Sequence, residues 1–256
     1  MITIIDNDEM KISLSKSFIE NNDTPDKRSL SEYILDKTKE KLQFFRELFN
    51  IEKLDKIEFI LFDDYDEWKK YYVSRNHREP PEYSRGSFES ENNLSYSVQK
   101  SGVLYNTPLW FHIVSVNAHE AFHIYYKKYI YKDDRIVWFD EGLAQYLSGE
   151  AEGWINNEEK LKKVFLEFYQ NYKEINNLND RIQGNNSIPD DLIFSRKGVF
   201  EGYKMSLLAI KYLDLKYGIS YIKELMKYNK EIRELGTTII DDMIEYYKER
   251  FNIKVL

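Results

Sequence analysis

His119-Glu120-Ala121-Phe122-His123 stands in the middle of the run Leu109–Tyr131, LWFHIVSVNAHEAFHIYYKKYIY. Trp110, Ile113, Val114, Val116, Ala118, Ala121, Phe122 and Ile124 put apolar side chains on nearly every side of a 3.6-residue turn. A helix apolar all round is a buried, central one. Residues four apart on a helix share one face, so His119 and His123 can converge on a single ion with Glu120 projecting beside them. Polar groups in a buried helix need partners, and a metal ion would supply one. His112 shares that face but lies about 10 Å up the axis, out of reach of the same ion.

Upstream of this helix the pattern is mixed. Ile2–Ile5 and Lys11–Leu14 read as short strands around a polar turn, and residues 21–27 with Pro25 as a loop. A capping box of Ser29 and Glu32 opens a helix with Leu30, Ile34, Leu42, Phe45 and Phe49 on one stripe. Ile57–Phe62 has the length and apolar content of a buried strand, and Asp64 with Glu67 signals a further helix ended by Pro80 and Pro81. Short Ser- and Tyr-rich runs from Gly86 to Thr107 read as a meander of small strands.

Downstream the pattern is helical. Asp140–Ser148 reads as a short helix with Asp140 as its N-cap, and Leu161 to Tyr172 marks another. Asn176–Lys197 is a long polar loop, of a length uncommon unless functional or mobile. Val199–Tyr217, stopped by Gly218, and two amphipathic helices around Ile222–Met226 and Ile240–Phe251 close the chain. The expected fold class is α+β: an N-terminal mixed α/β lobe over residues 1–108 with a small sheet, a central helix over 109–131, and an all-helical lobe over 132–256.

Composition narrows the chemistry. At 256 residues, 42% hydrophobic and 16% aromatic, the chain can bury a large core or two lobes sharing one active cleft. A net charge of −7 lacks the basic face that nucleic acid requires. Cysteine is absent, so disulfides and thiolate metal sites are excluded and any zinc rests on histidine and carboxylate alone. No run approaches the ~18 apolar residues of a membrane span, and Met1–Asp8 has neither a basic nor an apolar segment of a signal peptide. A cytoplasmic location is the expectation, with secretion by a preceding leader left open.

A catalytic zinc takes three protein ligands and keeps one position open. His119 and His123 supply two, and Glu141, on a separate helix, is the choice for the third. Glu120 would then take the proton from a zinc-activated water. Asp63-Asp64 and Asp190-Asp191 read as caps and turns, and His77 as a solvated loop residue.

With Trp138-Phe139-Asp140-Glu141-Gly142-Leu143-Ala144-Gln145-Tyr146 following it, the His119–His123 stretch resembles the gluzincin metallopeptidases, both thermolysin-like and aminopeptidase-like. The resemblance covers roughly residues 84–228 and is sharp at 119–146 and around 203. It implies a two-lobed zincin-like fold, Zn2+ on His119, His123 and Glu141, and Glu120 as general base. Gly202-Tyr203-Lys204-Met205-Ser206 is similar to the family's tyrosine-bearing helix, which implies that Tyr203 donates to the oxyanion.

Two departures stand out. Gln145 occupies the place where thermolysin-like enzymes carry an aspartate that orients a ligand histidine, leaving Asp140 or Asn117 for that task. The aminopeptidases' Gly-x-Met-Glu-Asn is not found, and Gly102-Val103-Leu104-Tyr105-Asn106 shares only its ends. The expectation is therefore a zinc endopeptidase rather than a classical aminopeptidase, acting on a peptide or protein, with Trp138 lining an apolar side-chain pocket. Its rival is a non-catalytic, zinc-stabilised domain of peptidase fold that binds a protein or peptide partner. Oligomeric state is open.

Overall fold

The computed structural model describes residues 1–16, 29–80, 84, 86–98, 109–130, 135–172 and 196–253. The expected loop at 21–27, the strand runs beyond Val98, Pro81, Gly102–Asn106, Asp190-Asp191, almost all of the 176–197 loop and the side chain of His112 lie outside them. The chain forms two compact units, Met1–Tyr129 and Ile130–Leu256. Helices and a small mixed sheet make it an α+β protein.

The first unit carries β1 (Ile2–Asp6), β2 (Met10–Leu14), α1 (Leu30–Phe49), β3 (Ile57–Phe62), α2 (Tyr65–Asn76), β4 (Gly86–Glu89), β5 (Leu94–Val98) and α3 (Leu109–Tyr129). The strands are ordered β1-β2-β3-β5-β4. β2, β3 and β5 run parallel, while β1 and β4 close the two edges antiparallel to their neighbours. The capping box at Ser29 and Glu32 opens α1 as expected, and the Glu67 N–H donates to Asp64 at the start of α2.

α2 ends before the prolines. His77 takes the left-handed conformation at φ 55° and its N–H donates to the Val73 carbonyl at 2.9 Å. The helix thus ends at His77, three residues before Pro80, and His77 is its exposed C-cap.

Strand period decides what each sheet face meets. Leu94, Tyr96 and Val98 of β5 pack with Trp68 and Tyr72 of α2. Successive strand residues point to opposite faces, so Ser95 and Ser97 face the other way. There α3 packs against β4 and β5. Two serines leave no bulk under the helix, which lets its backbone come close to the sheet. On its remaining side Phe122 packs with Phe45 and Phe49 of α1, ring centroids 5.8 Å apart in both pairs, and Trp110 meets Tyr33 edge-on. Buried ring pairs of this kind are each worth about 0.5–1.5 kcal/mol beyond their area.

The described part of the second unit is helical throughout: α4 (Val137–Ser148), a single turn α5 (Glu152–Ile155), α6 (Glu158–Tyr172), α7 (Arg196–Tyr217), α8 (Ile219–Leu225) and α9 (Asn229–Arg250). α4 starts earlier than its sequence suggested, and Ile136, not Asp140, occupies the N-cap position. Asp140 is unavailable for capping because Arg135 binds its carboxylate. α5 was not foreseen; it is too short to show a period.

α4 and α7 pack backbone to backbone. A Cβ on Gly142 would lie 2.7 Å from the Ser206 carbonyl oxygen and 2.8 Å from Ile210 Cγ1. The absence of a side chain at Gly142 thus sets the helix spacing. Gln145 and Tyr146 extend the junction through bonds to the Tyr203 carbonyl (3.3 Å) and to Asp214 (2.5 Å). α7 stops at Gly218, whose φ of +81° suits glycine. Phe165, Tyr247 and Phe251 form the aromatic contact between α6 and α9.

Candidate functional site

α3 brings together three of the expected site residues in the first unit. His119 Nε2 and His123 Nε2 stand 3.0 Å apart. Two nitrogens on a tetrahedral zinc at about 2.0–2.1 Å each are roughly 3.3 Å apart, so the pair is already spaced to share an ion. His123 is 2% exposed and its ring stacks on Phe88 of β4, with centroids 5.0 Å apart and planes at 21°. The helix turn sets the spacing, and the sheet holds the ring.

Glu120 is 9% exposed and lies against β4. A Cβ built on Gly86 would fall 2.5 Å from Glu120 Oε1. The carboxylate therefore occupies the space that any other residue at position 86 would fill. Arg75 grips Glu89 at the far end of β4 through two donors and keeps that carboxyl below its usual range, which ties the strand to α2. With Glu120 as the general base expected from sequence, Gly86→Ala should leave metal binding intact and lower turnover by about tenfold or more, since a small misplacement of such a group is costly. Metal titration beside steady-state kinetics would check it, and an unchanged kcat would refute it.

Gly86 and Phe88 were not among the residues expected from sequence. One signal was present: a glycine inside a strand often marks a close backbone approach. What approaches it depends on strand pairing, which the local sequence does not reveal.

In the second unit α4 carries Glu141, which is 7% exposed, and α7 carries the partly buried Tyr203. Gln145 lies one turn after Glu141 and donates to the carbonyls of both Glu141 (3.2 Å) and Tyr203 (3.3 Å). The residue that departs from the thermolysin-like pattern thus joins the Glu141 helix to the Tyr203 helix. Arg135 reaches Glu141 Oε1 at 2.5 Å and also binds Asp140, which is only 1% exposed. Asn117 is fully buried, and its amide has no hydrogen-bond partner among the described residues. Trp138 is wholly buried beside Phe139.

Compared with protein-family models and with curated proteins, the chain matches none. Among the described residues no helix is long and apolar enough to cross a membrane.

Proposed function

We propose that the protein is a zinc-dependent metallopeptidase of the gluzincin type, with the two-lobed zincin-like fold of that class. The observation that carries the reading is the His119–His123 pair, spaced for a shared ion on a buried helix with a buried carboxylate between them in sequence. In this reading His119, His123 and Glu141 hold the metal ion. Their donor set of two imidazoles and one carboxylate suits zinc. Bound zinc supplies Lewis-acid polarisation of a peptide carbonyl and of a water molecule. Glu120 accepts a proton from the attacking water and returns it to the leaving amine. Tyr203 donates a hydrogen bond to the negative charge that develops on the carbonyl oxygen.

Substrate binding in this reading falls to β4. It is one of the two edge strands of the sheet, paired among the described residues with β5 alone, and it runs past both Glu120 and His123. An extended peptide adding to that edge brings a backbone amide to the catalytic carboxylate. Such binding favours an endopeptidase, because it needs no free terminus.

The test is digestion of a broad peptide library, with ester and amide substrates alongside, before and after a zinc chelator. Chelator-sensitive internal cleavage is the expected result. Zinc binding without any cleavage would overturn catalysis and favour a partner-binding domain.

A further inference from the structure

Two adjacent residues at the start of α4, Asp140 and Glu141, are carboxylates at 1% and 7% exposure. Buried charge is costly unless it is paired and hydrogen-bonded, and two like charges side by side raise the cost. Arg135 answers both. Its Nε–H donates to Asp140 Oδ2 and its Nη2–H donates to Glu141 Oε1. These two N–H groups form one edge of the guanidinium, the edge that elsewhere binds a single carboxylate in two-point fashion. Here it is divided between two.

The division has a geometric consequence. A guanidinium is planar and rigid, so anchoring one nitrogen on the buried Asp140 fixes where the other points. Glu141 is then held at Oε1 in a direction that Asp140 sets. Arg135 sits just ahead of α4 with only Ile136 between, so its own backbone is tied to the helix it serves.

We propose that Arg135, anchored by Asp140, is a positioning residue that orients the Glu141 carboxylate as a metal ligand. This rests on the reading of Glu141 as the third ligand. Asp140 thereby acts on the metal through Arg135, a different route from the histidine-orienting aspartate that position 145 lacks. Lysine at 135 would keep the charge and lose the fork, so it would restore the function only in part.

The experiment is zinc affinity by competition with a chromogenic chelator, on the full chain well below its melting temperature. Arg135→Gln and Asp140→Asn are each expected to weaken zinc about 10–100-fold, the usual cost of losing a partner that orients a ligand. Arg135→Lys should fall between Arg135→Gln and the native chain. In a Glu141→Ala background, Arg135→Gln should weaken zinc no further, because a residue acting through Glu141 has nothing left to position. Equal zinc affinity in Arg135→Gln and the native chain, or tighter binding, would overturn the proposal. So would an equal loss with and without Glu141, which marks a merely structural arginine. Should Arg135→Gln fail to fold, Arg135→Lys and Asp140→Asn carry the same comparison. Failure of the underlying zinc-site reading is distinguishable, because the native chain would then bind no zinc, or Glu141→Ala would bind it as tightly as the native chain.

Discussion

A Glu120→Gln protein should bind zinc as the native chain does and lose peptide hydrolysis by about 10²–10⁴-fold, the range general-base catalysis supplies. The substitution is nearly isosteric, which matters at this position. The carboxylate fills the space left by Gly86 and is almost wholly buried there. An amide of the same shape fits that space and cannot take a proton from water. Metal content of the purified variant and its kcat on a peptide cleaved by the native chain are the two measurements. Normal metal content with turnover unchanged would rule the mechanism out.

A His123→Ala protein should show the second large effect, and it should appear in metal binding before activity. His123 offers one of the two nitrogens that face each other at 3.0 Å. Its removal leaves His119 without its paired imidazole one turn away, and a zinc site with three protein ligands would lose one of them. The expected weakening exceeds the roughly 10–100-fold that a supporting residue costs. Because His123 is buried against Phe88, the substitution also opens a cavity, so the fold must be checked by circular dichroism on the metal-free form. His119→Ala provides the companion case, since His119 is less buried. Retention of native zinc affinity in a folded His123→Ala protein would remove His123 from the ligand set.

Much of the local structure was legible. The box at Ser29 and Glu32, the cap at Asp64, the strand Ile57–Phe62 and the stop at Gly218 all form where their residue types indicate. Each is a signal contained within a few residues, and the interactions that enforce it are equally local. The misreadings share the opposite cause. Asp140 looks like an N-cap until Arg135 engages it, and Pro80-Pro81 looks like a helix terminator until His77 closes the turn first.

From sequence alone came the part of the site that one helix can define. His119, Glu120 and His123 are related by the fixed 3.6-residue turn, so their common neighbourhood follows from spacing. Tertiary structure decided what stands against them: Gly86 at Glu120, Phe88 on His123, and separately Gln145 on Tyr203 and Arg135 across Asp140 and Glu141. The contacts on α3 depend on strand order, because β4 reaches the helix only by pairing with β5 at the edge of the sheet. Helical period carries information about residues one turn apart. It carries none about which strand closes a sheet or which arginine reaches a buried carboxylate, and packing determines both.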